Sequence, residues 1–281
     1  MDGDPYATNE ERMSTPHTNT GRDETTGELT GRVALVTGGA SGLGRAVGLM
    51  LAVAGAHVVL GDVDSGGAER TAKEVAEVGG SAGAVELDVT DDDARRRVSA
   101  ELFDRFGDRF DVLVNVAGID RPGYSTDIDL ADYRMVHAVN CEGPVFLTSE
   151  FLKRVQHRAA GTMADVVQIT SLSAVTSGSG AIAYNSSKAA FRSAVRCIQR
   201  ELREKVTVTD DGVEVPFPAR VHSIVPAAMD TPMMHRWGIP QHRMMPPADV
   251  ARMVLLLITS PATSYVPEVT IVPRNEPDFP R

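Results

Sequence analysis

From residue 33 onward, short apolar runs alternate with stretches of helical periodicity. Val33-Ala-Leu-Val36, closed by glycines, reads as a buried strand. Arg45 to Ala54 has helical spacing, His57-Val-Val-Leu60 is a second strand, and Ala68 to Val78 a second helix. Ala84-Val-Glu-Leu-Asp88 predicts a third strand, Ala94 to Phe106 a third helix, and Val112-Leu-Val114 a fourth strand. The pattern then predicts a helix over Tyr133 to Arg158, a strand at Asp165-Val-Val-Gln-Ile169 and a long helix over Tyr184 to Glu204. A strand at Arg220 to Val225, a helix over Pro247 to Thr259 and a strand at Val269-Thr-Ile-Val272 complete it. Parallel strands need a crossover of helical length, so this alternation predicts βαβ units in one α/β domain. That domain is doubly wound, its sheet mostly parallel, with helices on both faces and no internal linker over residues 29–281.

Two stretches stand outside the alternation. Residues 1–28 are rich in Thr, Asp, Glu, Gly and Asn and nearly free of aliphatic side chains. Such a segment buries too little surface to offset its ordering entropy, so a mobile tail is expected, with a docking arm as the alternative. Between the long helix and the strand at Arg220, apolar and polar residues alternate on each side of Asp211-Gly212. That is a hairpin signal, and a small surface hairpin is expected within 206–219. It falls on the sheet edge opposite a ligand crevice, which favours a structural or subunit-contact role.

Composition narrows the function classes. The formal net charge is -10, so there is no basic surplus for a polyanion and nucleic acid is not an expected partner. No run of about eighteen apolar residues occurs, so no membrane helix is expected. The polar N-terminus has no secretory apolar region. Cys141 and Cys197 lie far apart, with no Cys-x-x-Cys partner. Reduced, metal-free cysteines and a cytoplasmic setting are the expectation.

The first strand runs into Thr37-Gly38-Gly39-Ala40-Ser41-Gly42-Leu43-Gly44 and then a helix. Glycines at 38, 42 and 44 allow a tight turn, a close backbone approach to a pyrophosphate and close helix packing. The following helix N-terminus offers free N–H groups and a positive dipole end to phosphates. With a strand before it and a helix after it, the turn reads as a dinucleotide site. Asp62 ends the second strand about twenty residues on, where a carboxylate accepts from a ribose 2′-hydroxyl and repels a 2′-phosphate. NAD is therefore expected over NADP. Asp88-Val89 is expected to end the third strand and flank the adenine.

Tyr184-Asn-Ser-Ser-Lys188 opens the long helix, with both side chains on one face. An ammonium beside a phenol favours phenolate and draws the tyrosine toward useful general acid/base strength. The chain has four lysines, at 73, 153, 188 and 205, so one in this register is informative. Ser171, at the end of the fifth strand, places a hydroxyl where a substrate oxygen would lie. Strand-end Ser, Thr and Asp residues also form ordinary turns, so none of them decides the matter alone.

Taken in order, Gly38-x-x-x-Gly42-x-Gly44, Asn115-Val-Ala-Gly118, Asn140, Ser171 and Tyr184-x-x-x-Lys188 resemble the short-chain dehydrogenase/reductase family over about residues 30–272. The resemblance implies a single Rossmann domain with a seven-stranded sheet, and a homodimer or homotetramer. It implies Tyr184 as the acid/base, with Lys188 lowering its pKa and binding the nicotinamide ribose. Ser171 would orient the substrate oxygen and Asn140 would hold a water in a proton relay. Asn115 would be structural near the adenosine, with Ala117 and Gly118 beside the cofactor. Asp62 matches the NAD-preferring subgroup, and no basic residue precedes Gly44 in the loop. Pro226 and Thr231 match the segment that meets the carboxamide. Three departures stand out. Val116 replaces a second Asn, Ala227 replaces the Gly after Pro226, and the chain ends in Val272-Pro-Arg-Asn-Glu-Pro-Asp-Phe-Pro-Arg281 rather than a glycine-rich tail. Ala227 is expected to tighten the loop beside the nicotinamide and puts turnover in question.

Met229, Met233, Met234, Met244, Met245 and Trp237 crowd the segment around Thr231. Flexible thioethers and one indole suit an adaptable apolar pocket, although any single Met fits core packing equally well. His235 and His242 have no carboxylate or cysteine at ligand spacing, and no metal is expected. Arg236 or Arg243 could meet an anionic substrate. The leading reading is an enzyme that interconverts a small or medium, largely apolar secondary alcohol and its ketone with NAD(H). The alternatives are a 3-oxoacyl-thioester reductase using NADPH, a nucleotide-sensing protein without turnover, and an epimerase or dehydratase on the same domain.

Overall fold

A computed structural model describes residues 27–158, 162–208, 212 and 214–274. In chain order the first half comprises β1 (Val33–Thr37), α1 (Gly42–Val53), β2 (His57–Asp62), α2 (Ser65–Glu77), β3 (Ser81–Glu86), α3 (Asp92–Phe106) and β4 (Phe110–Asn115). Then come α4 (Leu130–His137), α5 (Gly143–Val155), β5 (Ala164–Ile169) and α6 (Ile182–Glu204). The last part holds β6 (Val206–Val208), β7 (Glu214–Pro216), β8 (Ala219–Pro226), α7 (Pro232–His235), α8 (Pro247–Thr259) and β9 (Glu268–Ile271).

Seven strands form one parallel sheet in the order β3-β2-β1-β4-β5-β8-β9. The run at β1 is apolar without interruption because both its faces are covered. Ala34 and Val36 pack with Val47, Leu51, Val75, Val254 and Leu257 of α1, α2 and α8. Val33 and Leu35, pointing the other way, pack with Leu102, Phe151, Phe191 and Val195 of α3, α5 and α6. The chain leaves β1 toward β2 and β3, then returns to place β4 on the other side of β1. Strand order reverses there, and a crevice opens beyond the carboxyl ends of β1 and β4. This is the doubly wound, single-domain Rossmann architecture expected from the alternation.

Some boundaries differ from the sequence reading. The third strand occupies 81–86, not 84–88. It is an edge strand whose backbone pairs with β2 from Ser81↔His57 onward, so Ser81-Ala-Gly83 join through the ladder without any apolar signal. Asp88 and Val89 therefore lie beyond the strand. The helix expected over Tyr133 to Arg158 starts at Leu130, capped by Asp129, and ends at Val155. A π turn at Ala138–Glu142 interrupts it, a feature common at functional sites. Val206–Val208 and Glu214–Pro216 pair antiparallel, with the turn at Gly212 at φ +81. The expected tail falls almost wholly, and the C-terminal residues 275–281 wholly, outside the described residues. Among the described residues, no helix is long and apolar enough to cross a membrane, and no His/Cys/Asp/Glu group could hold a metal.

Candidate active site

A cavity of ≈ 860 Å³ lies at the carboxyl ends of the strands. At one end the β1–α1 turn lines it with Gly38, Ser41, Gly42, Leu43 and Gly44. The three glycines have separate reasons. Gly38 and Gly42 take φ of +70 and +52, in the region that favours glycine. A Cβ at Gly44 would collide with the Gly38 carbonyl oxygen, so the helix could not sit this close to the strand. Ser41 caps α1 without a side-chain bond, which leaves the first-turn N–H groups available to an anion. Thr37 Oγ1 accepts from the N–H groups of Val116 and Ala117 at 3.0 and 3.1 Å, tying this turn to the β4 loop. These residues fit a dinucleotide: a cradle of backbone donors at the positive end of a helix, shaped by positions where a side chain would intrude.

Asp62 lies on the same cavity, its Oδ2 accepting from Ala40 N–H and its Oδ1 from Asp64 N–H, each at 3.0 Å. Both bonds hold the carboxylate rigid beside the glycine turn. Asp88 and Val89 also line the cavity, with Asp88 Oδ1 fixed by Thr90 at 2.8 and 2.7 Å. Ala117, Gly118, Pro226 and Thr231 line it too. Asn115 does not. It is buried, and its Nδ2 donates to Thr148 Oγ1 and Gln168 Oε1, each at 3.0 Å, so it ties β4 to α5 and β5 and touches no ligand space.

At the other end, Ser171, Tyr184 and Lys188 converge on the cavity. Lys188 Nζ donates to the Ile169 carbonyl at 3.0 Å and lies 5.8 Å from the centre of the Tyr184 ring. Burial pushes the Tyr184 phenol up to about 12, against a hydrogen bond with Ser171 and with help from the Asp120 carboxylate. Burial also pushes Lys188 down to about 8. Desolvation, which disfavours the charged form of both groups, thus sets the direction for each, and Ser171 rather than Lys188 is what draws Tyr184 down. The consequence for stability has a definite sign. Between about 8 and 10.5 the unfolded chain keeps a proton on Lys188 that the folded chain has released, so stability rises with pH across that window. Lys188→Met lacks this rise. The melting-temperature gap should move in favour of wild type as pH climbs through the window, and a flat gap would contradict the assignment.

Asn140 is fully buried in the π turn and does not line the cavity. Its Oδ1 accepts from Ile119 N–H at 2.8 Å, and its Nδ2 donates to the Ile119 carbonyl and to Ser187 Oγ at 2.9 and 3.1 Å. The amide ties the β4 loop to α6. Ala227 lines the cavity, and its backbone lies outside the positive-φ region that favours glycine.

The segment carrying α7 closes the cavity. Met229, Met233, Met234, Trp237 and Arg243 line it, whereas Met245 packs in the core and Met244 faces a separate cleft. Arg236 is drawn away to the Asp120 carbonyl at 2.9 Å. Asp120 is the residue that sequence reasoning missed: it lines the cavity and accepts from Trp237 Nε1 at 2.8 Å. An acidic residue directly after Gly118-Ile119 was the available signal, but its partner lies 117 positions away.

A family model for short chain dehydrogenase matches residues 32–241. Over 212 residues the chain is 35% identical to 1-deoxy-11-beta-hydroxypentalenate dehydrogenase of Streptomyces arenae, covering 75% of this chain and 71% of that one. It is 29% identical over 248 residues to 3-oxoacyl-acyl-carrier-protein reductase of Thermotoga maritima, covering 85% and 94%. A solved metagenomic short-chain oxidoreductase in complex with NADP is similar with a TM-score of 0.73 at 27% identity, over 88% of this chain and 99% of that one. The glycine turn, the strand reversal and the Tyr-Lys helix thus sit where one family's model runs through most of the sequence, and the chain belongs to the short-chain dehydrogenase family of oxidoreductases.

Proposed function

We propose that this protein interconverts a secondary alcohol and its ketone by hydride transfer with NAD(H), on a small to medium and largely apolar substrate. The observation that carries the reading is the meeting of Ser171, Tyr184 and Lys188 at one end of a cavity whose other end is the glycine turn. When bound, the nicotinamide would supply or take the hydride. Ser171 holds the substrate oxygen against the Tyr184 hydroxyl. In ketone reduction the Tyr184 hydroxyl donates its proton to that oxygen, and in alcohol oxidation it accepts one. Lys188 holds the ribose and, when charged, favours the phenolate. Met229, Met233 and Met234 shape an apolar wall, while Asn140 keeps the β4 loop in register.

Asp62 supports NAD, because its carboxylate lines the cavity beside the glycine turn, with Oδ2 held by Ala40 N–H and Oδ1 by Asp64 N–H, where it would meet a ribose 2′ position. The solved relative with NADP and the 3-oxoacyl-acyl-carrier-protein reductase favour the second reading, NADPH-dependent thioester reduction. Nicotinamide fluorescence titrations with NADH and NADPH separate the two. NADH should bind at least about tenfold more tightly, on the order of 1.4 kcal/mol. Preference for NADPH would place Asp62 away from the 2′ position and favour the thioester reading. Exposed Leu130, Met135 and Phe146 on α4 and α5 support a homodimer or homotetramer.

A further inference from the structure

The charged side chains that line the cavity are Asp62, Asp88, Asp120, Lys188 and Arg243. Protein groups hold the first four. Asp62 and Asp88 accept from neighbouring N–H and hydroxyl groups, Asp120 accepts from Trp237, and Lys188 donates to the Ile169 carbonyl. Arg243 differs: among the described residues, no ion pair or side-chain hydrogen bond reaches its guanidinium. Its backbone is nonetheless fixed. It ends a 3₁₀ turn over Gln241–Arg243, and its N–H donates to the Pro240 carbonyl at 2.9 Å. Just beyond it, Met245 N–H donates to the Ala228 carbonyl and Asp230 N–H to the Met245 carbonyl, each at 2.9 Å, which pins the turn beside the end of β8. The carboxylate of this segment, Asp230, is already engaged by Gln241 Nε2 at 2.6 Å and His235 Nε2 at 3.1 Å. A guanidinium stays charged and presents its donors in a planar fork, so one set on a cavity wall without a protein partner suits an oxyanion.

The neighbours of Arg243 point to the source of that oxyanion. A dinucleotide diphosphate has its own donors in the glycine turn and the first turn of α1. Arg243 shares its wall with Met233, Met234, Trp237 and Ile239. It is exposed, whereas Ser171 and Lys188 are only 8% and 4% exposed. A substrate lying along this wall has its reacting carbon at the buried end, its hydrocarbon against the methionines and its far end at Arg243, beside water. We propose that Arg243 is a specificity-determining residue that selects substrates carrying a carboxylate at the end of the apolar body remote from the reacting carbon. The substrate class is then an amphipathic oxo or hydroxy acid. A carboxylate pairs with both arms of the fork, and a neutral amide of the same shape brings no charge to it. Because the pair is open to water, it selects among substrates rather than anchoring them. This inference rests on the alcohol–ketone reading.

Arg243→Gln removes the charge without breaking a bond to the protein, and an unchanged melting temperature establishes that the variant is folded. Wild type and variant, each saturated with NAD so that a ketone binds without turnover, are titrated by calorimetry with 5-oxohexanoate, 7-oxooctanoate and 9-oxodecanoate and with the primary amide of each. In wild type the best-bound acid should bind at least about fivefold more tightly than its amide, and in Arg243→Gln the two should agree within about twofold. NADH affinity should agree within about twofold between the two proteins, since the glycine turn holds the diphosphate. Equal binding of acid and amide in wild type, no binding of any compound, or a preference that survives Arg243→Gln would overturn the proposal. A loss of NADH affinity beyond about fivefold in the variant would assign the guanidinium to the diphosphate and overturn it as well. Failure of the alcohol–ketone reading shows separately: the acid then binds with its Arg243-dependent preference but is not reduced when NADH replaces NAD.

Discussion

Tyr184→Phe is expected to lower turnover by about 10³-fold while leaving dinucleotide affinity within about twofold, in line with general acid/base contributions of about 10²–10⁴. The ring is retained, so the packing of α6 against the cavity changes little. What is lost is the hydroxyl that hydrogen-bonds Ser171, on the one phenol among the described residues that line the cavity. Lys188 keeps its bond to the Ile169 carbonyl, and the glycine turn at the other end of the cavity is untouched. Steady-state rates on a reactive ketone, paired with NADH titration, check the prediction. A variant with wild-type turnover removes Tyr184 from the mechanism, and loss of NADH binding would show that the phenol holds the cofactor.

Asp165→Ala is expected to cost about 3–5 kcal/mol of stability, the usual penalty for removing one partner of a buried charge network. Asp165 is 1% exposed at the start of β5. Its Oδ2 receives Arg32 Nη2 at 2.8 Å, and its Oδ1 receives Arg220 Nη2 at 2.8 Å, with His222 Nε2 at 3.4 Å. Arg32 extends the network to Asp111 on β4 at 2.8 Å. Burial pushes the Asp165 carboxyl up, but the hydrogen bond with His222 and the charges of Arg32 and Arg220 outweigh it and hold the carboxyl below its ordinary value. Its contribution is therefore present above the ordinary carboxylate range and lost as pH falls through the lowered folded value. Removing the carboxylate leaves Arg32 with Asp111 alone and Arg220 buried with no carboxylate partner. Since about 1 kcal/mol moves the midpoint of a domain of this size by roughly 2–4 °C, thermal melts should shift by roughly 10 °C. The network lies at the opposite end of the sheet from the cavity, so the rate per folded molecule should be unchanged.

Much of the fold was legible because it rests on short-range pattern. Each central strand is an apolar run buried on both faces, and each crossover helix carries one apolar stripe. The glycine turn and the Tyr184–Lys188 pair were legible because their geometry is set within a few residues. Where signals depend on partners far along the chain, the reading failed. Ser81-Ala-Gly83 become strand only because β2 lies alongside. The π turn at Ala138–Glu142 has no composition of its own, and neither proline nor glycine marks its start. Asn115 has structural bonds, as the resemblance implied, but its partners Thr148 and Gln168, like Ile119 and Ser187 for the Asn140 amide, could not be named from spacing. Spacing reports the charge near Tyr184 but not the desolvation that competes with it. Asp120 was missed because its meaning depends on Trp237 closing over it.

The central claim is that this cavity moves a hydride between a nicotinamide and a carbinol carbon while Tyr184 moves the proton. The most direct test supplies NADH deuterated at the transferring carbon with a panel of apolar ketones, and reads the alcohol products by mass spectrometry. The account predicts one deuterium at the carbinol carbon of the product formed by wild type, and almost none with Tyr184→Phe. Tight NADH binding without deuterium in any product, or equal incorporation in the variant, would contradict it.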